Sequence, residues 1–197
     1  MYSVCKQFVV SKRNCNLGLI NNVYVIEQNL ITMKNIFFAL TLLIASFSFG
    51  QNTGCNYPQS NQFDYWVGEW NVYDTLGNKV GENRIEKQYE NCVLQENWTS
   101  QRVNKGTSYN YYNPTDSTWN QLWLDNQGSI LQLKGHYSDN KMVMKSELQK
   151  GNNIALYYNQ ISWVKNEDGT VSQIWEVFDD KGKFLQLAFY GVYKKKE

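Results

Sequence analysis

The chain has 197 residues, with 19 lysines and arginines against 18 acids, one histidine and a formal net charge of +1. So even a balance leaves no basic face for nucleic acid. The one basic cluster, Lys194 to Lys196, reads as a solvated chain end.

From the N-terminus, residues 1–32 show no clear hydrophobic period and precede a second candidate initiator, Met33, so they read as a mis-called start. Residues 33–50 have the layout of a secretory signal: Lys34 as the positive end, an apolar run from Ile36 to Phe49, and small residues at Ser48-Phe49-Gly50. The run of 14 residues falls short of the roughly 20 that a membrane-spanning helix requires. No cysteine follows Gly50 directly, which argues against a lipid anchor. The expected mature chain, 51–197, is then one exported domain, secreted or periplasmic, with no stable membrane span after cleavage. It keeps 15 of the 19 basic and 17 of the 18 acidic residues.

Cys55 and Cys92 are the cysteines left in that domain, and in an oxidising compartment a disulfide between them is the natural reading. A metal site would need more ligands than His136 and two distant cysteines supply, and a catalytic thiol would have only His136 as its base.

The remainder is a run of short segments rich in aromatic and branched residues, with no long helical pattern. Strands are predicted over 64–74, 79–90, 92–102, 106–112, 118–125, 129–137, 141–149, 153–165, 170–178 and 184–194. The first carries Trp66 and Trp70 on one face, with Gly68 between them leaving room for a bend or a close backbone approach. Gly77-Asn78, Asn104-Lys105-Gly106, Asn126-Gln127-Gly128, Asp139-Asn140, Asn166 to Gly169 and Asp179 to Gly182 are turn sequences whose residues tolerate positive φ. Links this short pair sequence neighbours antiparallel. Ten such strands, closed on themselves to remove both edges, make an all-β up-and-down barrel.

The segments Phe63-Asp64-Tyr65-Trp66-Val67-Gly68-Glu69-Trp70, Gly81 to Lys87, Cys92-Val93-Leu94-Gln95-Glu96-Asn97-Trp98, Trp119 to Asn126 and Gln173-Ile174-Trp175-Glu176 resemble an uncharacterised group of secreted bacterial proteins with a lipocalin-like (calycin, nitrobindin-related) barrel. The resemblance implies the fold and the export. It carries no reaction or ligand, so function must be argued from the site.

A polar residue recurs two positions before a tryptophan, which the strand period places on one face: Glu96 with Trp98, Gln121 with Trp123 and in phase with Asp125, Gln173 with Trp175. Arg84 and Glu86 share a face of the second strand and are expected to add charge to the same interior. If these faces point inward, they make a pocket of flat aromatic surfaces with a few directional hydrogen bonders, suited to a small amphipathic or aromatic molecule. The same residues would also fit a filled core whose polar groups satisfy one another. Two further readings stand beside a binding protein. One is a hydrolase or isomerase using Glu86, Glu96 and Asp125 as acid and base. The other is an interaction module presenting Tyr109, Tyr111, Tyr112, Tyr157 and Tyr158. No cofactor is expected. Haem, which nitrobindin-type barrels hold through a histidine, would have only His136 as a ligand.

Overall fold

A computed structural model describes residues 33–34, 55–151 and 155–197. The chain divides into two units by its internal contacts, Met1–Asn52 and Thr53–Glu197. Apart from residues 33 and 34, the expected mis-called start and signal peptide lie outside the described residues.

The second unit is all-β. Its strands are β1 (Gly68–Tyr73), β2 (Lys79–Gln88), β3 (Val93–Ser100), β4 (Lys105–Asn113), β5 (Thr118–Asp125), β6 (Ile130–Ser138), β7 (Lys141–Lys145), β8 (Tyr157–Lys165), β9 (Val171–Asp179) and β10 (Phe184–Lys195). Each pairs antiparallel with its sequence neighbours, and β1 pairs with β10 to close the barrel. The turn chemistry is as read: Gly77, Gly128, Gly169 and Gly182 all take positive φ at hairpin ends, where L side chains are strained. Asp125 and Asp179 each accept two backbone N–H groups from the loop that follows them, which closes those turns.

Several predicted strands are shorter than expected, β1 and β7 for reasons the structure shows. Residues 64–66 form a 3-10 turn, Asp64–Trp66, preceded by another at Pro58–Asn61. Gly68, at φ +138°, redirects the chain into β1, so Trp66 and Trp70 do not share a strand. Trp66 instead enters the barrel from its end, and the Trp70 indole donates to the Trp66 carbonyl at 2.8 Å. β7 stops at Lys145 because the Ser146 hydroxyl accepts the Asn159 N–H that a longer ladder would bond through backbone.

The register separates two halves of the interior. At the end entered by the 3-10 turns, Phe63, Trp66, Trp70, Trp163 and Tyr193 are at most 1% exposed and meet ring to ring. Truncating a ring of this size to Ala typically costs about 3–5 kcal/mol. That end is a plugged hydrophobic core. Cys55 is bonded to Cys92, tying the segment that carries the plug to the β2–β3 loop.

Candidate functional site

At the opposite end of the barrel the lumen-facing positions are Trp98 on β3, Trp123 on β5, Trp175 on β9 and Phe189 on β10. Their inward direction follows from the register: Trp98 stands opposite buried Asn83, Trp123 opposite buried Ser108, and Trp175 opposite buried Ile161 and alongside Phe189. All four are packed against the core yet only partly buried.

Glycines on the adjoining strands set the posture of these rings. A Cβ built at Gly81 would stand 2.4 Å from Cη2 of Trp98, and one at Gly106 would stand 2.4 Å from Cζ2 of Trp123. The benzo edges of both indoles therefore rest on neighbouring backbone where only a glycine leaves space. The Trp98 ring also meets Phe189 edge to face, with centroids 6.2 Å apart. Phe189 lies in the same way against Gly191, where an added Cβ would meet ring carbons at 2.7 Å.

Between this mouth and the plug lies a layer of buried polar side chains. Glu96, 4% exposed, accepts from Asn83 Nδ2 at 2.7 Å through Oε1 and from the Ser108 hydroxyl at 2.6 Å through Oε2. Ser108 in turn accepts from Asn110 Nδ2 at 2.8 Å, and Asn110 Oδ1 accepts from Gln121 Nε2 at 2.7 Å. Asn83 Nδ2 also reaches the Tyr193 hydroxyl at 3.3 Å, and that hydroxyl donates to Gln173 Oε1. Trp175 Nε1 donates to Asn159 Oδ1 at 2.8 Å. The Asn83 Oδ1 acceptor has no hydrogen-bond partner among the described residues.

Burial raises the Glu96 carboxyl above the usual carboxylate range, against the opposing pull of the hydrogen bonds from Ser108 and Asn83. Burial likewise raises the Tyr193 phenol, and the nearby Glu96 charge adds to that.

Glu96, Trp98, Gln121, Trp123, Gln173 and Trp175 thus all face the lumen, in pairs as the strand period requires. Asp125 continues the inward phase, but it sits at the end of β5 and its carboxylate belongs to the turn. Oδ1 accepts from Gln127 N and Ser129 N at 2.9 Å, and Asn104 Nδ2 lies 3.2 Å from Oδ2. The little burial it has raises its pKa, but these hydrogen bonds outweigh that and hold the group below the ordinary value.

Arg84 and Glu86 do not contribute charge to the interior. On β2 the inward phase is Gly81, Asn83 and Ile85, and Arg84 and Glu86 pair with each other at 3.2 Å on the outer face, 54% and 39% exposed. His136 is also outside: it alternates with the inward Gly135 and Tyr137, and it is exposed. A haem in the lumen could not reach it. The tyrosines form no single patch, because Tyr109 and Tyr111 are on β4 and Tyr158 on β8, which is not adjacent to it. Asn83, Ser108, Asn110, Asn159 and Tyr193 are parts of the site that the sequence pattern did not single out.

A shallow depression of about 440 Å³ runs along β3, β4 and β5, lined by Asn97, Trp98, Thr99, Gly106, Thr107 and Leu124 among others. No group of three or more His, Cys, Asp or Glu among the described residues could hold a metal ion, and no helix among them is long and apolar enough to cross a membrane. No protein-family model matches the chain, and no curated protein matches it. A closed β-barrel of this kind is compatible with a binding-protein fold.

Proposed function

We propose that this chain is an exported barrel of the calycin-like group, and that it binds a small amphipathic or aromatic molecule in the unplugged half of the lumen. One observation carries the reading. Three inward indoles at one end stay partly exposed, two of them with their benzo edges against glycines, while Phe63, Trp66, Trp70, Trp163 and Tyr193 at the other end are packed shut. A core built only for stability gains by burying its largest rings; leaving three at a rim forgoes roughly 25 cal/mol for each Å² of apolar surface left wet. Flat aromatic walls over a hydrogen-bonding floor are the composition of small-molecule sites. The Cys55–Cys92 disulfide supports export, since such bonds persist in oxidising compartments.

A two-carboxylate hydrolase or isomerase has less support. Of its three carboxylates only Glu96 lies in the lumen floor, Glu86 being outside and Asp125 engaged by its turn.

Native mass spectrometry of the protein purified from its own host tests the reading. The expected result is a retained small molecule that is lost from a Trp98→Ala/Trp123→Ala variant. A bare polypeptide mass, together with no uptake of 2-naphthylmethanol added as a probe, would count against a binding role.

A further inference from the structure

The polar floor has a direction. Gln121 donates to Asn110, Asn110 to Ser108, and Ser108, whose oxygen is already accepting, donates its own proton to Glu96. Asn83 donates to the other carboxyl oxygen. Every hydrogen bond in this relay is aimed at Glu96, the arrangement that favours negative charge there. A buried carboxylate ordinarily has a cationic partner as well. Facing Glu96 are Asn83 and Ile85 from β2, Ser108 from β4 and Tyr193 from β10. None of these is basic, and among the described residues no lysine or arginine reaches the carboxyl. Beside it, Asn83 Oδ1 is a buried acceptor with no donor.

A charge-ready acceptor, an orphaned acceptor next to it, and aromatic faces above them have one complement. We propose that the lumen takes an organic ammonium ion, an amine on a flat or apolar body. Its N–H groups would be received by Glu96 and Asn83 Oδ1 while the body lies against Trp98, Trp123 and Trp175. This rests on the lumen-binding reading above and narrows its ligand class. A protonated amine supplies at once the missing counter-charge and the missing donors, and indole faces attract cations in addition to apolar surface. A carboxylate ligand has no N–H to offer Asn83 Oδ1 and would oppose ionisation of Glu96. A neutral alcohol could donate to one acceptor but would leave the relay without a cation.

Binding also moves a proton. Burial disfavours the charged form of Glu96, so an arriving ammonium group favours its ionisation, and any proton the free carboxyl holds passes to buffer. Tyr193 is the other titratable group facing it and stays protonated throughout, being raised well above its ordinary value.

Isothermal titration at about pH 5 with three probes of one shape, 2-naphthylmethylamine, 2-naphthylmethanol and 2-naphthoate, decides the matter. The amine is expected to bind about tenfold or more tighter than the alcohol, with the acid weakest. Repeating the amine titration in two buffers of different ionisation enthalpy should show proton release. In Glu96→Gln, amine and alcohol should converge and the proton release should vanish. If that variant does not fold, the ranking and proton release in the unaltered protein still decide. Equal binding of all three probes, or a preference for the acid, would overturn the amine assignment and leave a lumen site standing. Binding of none of them would overturn both.

Discussion

Breaking the Cys55–Cys92 bond offers a sharp test of how the plug is held. The bond closes a loop 37 residues long that contains both 3-10 turns, β1 and β2, so its loss frees the segment carrying Phe63 and Trp66 in the unfolded chain. Loop-closure entropy for that length amounts to about 4 kcal/mol at 25 °C. The bond also anchors a loop in which Tyr89, Glu90 and Asn91 all take positive φ, a conformation that non-glycine residues adopt at some cost. Unfolding entropy for a domain of this size is about 0.3 kcal/mol/K, so the melting temperature should fall by roughly 12–14 °C. Cys55→Ser/Cys92→Ser should therefore lower the urea midpoint and the thermal midpoint together, with an m-value that rises because the uncrosslinked unfolded chain exposes more surface. The unaltered protein under reductant should match the double variant. A loss below about 1 kcal/mol would refute the reasoning, since it would mean that the lead-in is already constrained in the unfolded chain.

Other substitutions probe the mouth and the floor. Gly106→Ala places a methyl 2.4 Å from the Trp123 ring and 2.7 Å from the Leu124 carbonyl, and overpacking of this kind should cost about 1–3 kcal/mol in urea unfolding. Because the Glu96 pKa is raised on folding, the stability linked to its proton is full below the ordinary value of 4.5 and is lost as pH rises through the folded-state pKa. The stability of Glu96→Gln relative to the unaltered protein should accordingly improve from pH 4.5 upward, and a flat difference across that window would contradict a buried, cation-free carboxyl. Arg84→Ala/Glu86→Ala should change stability by about 0.5 kcal/mol or less and leave probe binding untouched, as an exposed outer pair requires.

The barrel was legible because its turns are written in residues that tolerate positive φ, at spacings that leave each strand only antiparallel neighbours. The segment Phe63 to Trp70 misled because aromatic residues suit a strand and a plug equally well; Gly68 marks the boundary, but only its φ reveals that the chain turns there. On β2 the phase was ambiguous. Val80 points to the even positions as the inner face and Ile85 to the odd ones, and tertiary packing chose the odd set, sending Arg84 and Glu86 out and Asn83 in. The polar-Trp pairs on β3, β5 and β9 were readable because a fixed period of two needs no knowledge of neighbours. Asn83, Ser108, Asn110 and Tyr193 were not, because what makes them a relay is which residue each faces across the ladder. The same strand period placed Asp125 in phase with Trp123, yet a strand's last residue is also its turn's first, and there the turn claimed the carboxylate.

The chain holds seven tryptophans, and its indole N–H groups allow the two halves of the lumen to be watched separately. With 15N-tryptophan labelling, addition of 2-naphthylmethylamine or 2-naphthylmethanol should shift the signals of Trp98, Trp123 and Trp175 while those of Trp66, Trp70, Trp119 and Trp163 hold still. No movement of the three mouth signals with either probe, or equal movement of all seven, would contradict a ligand site in the unplugged end of the barrel.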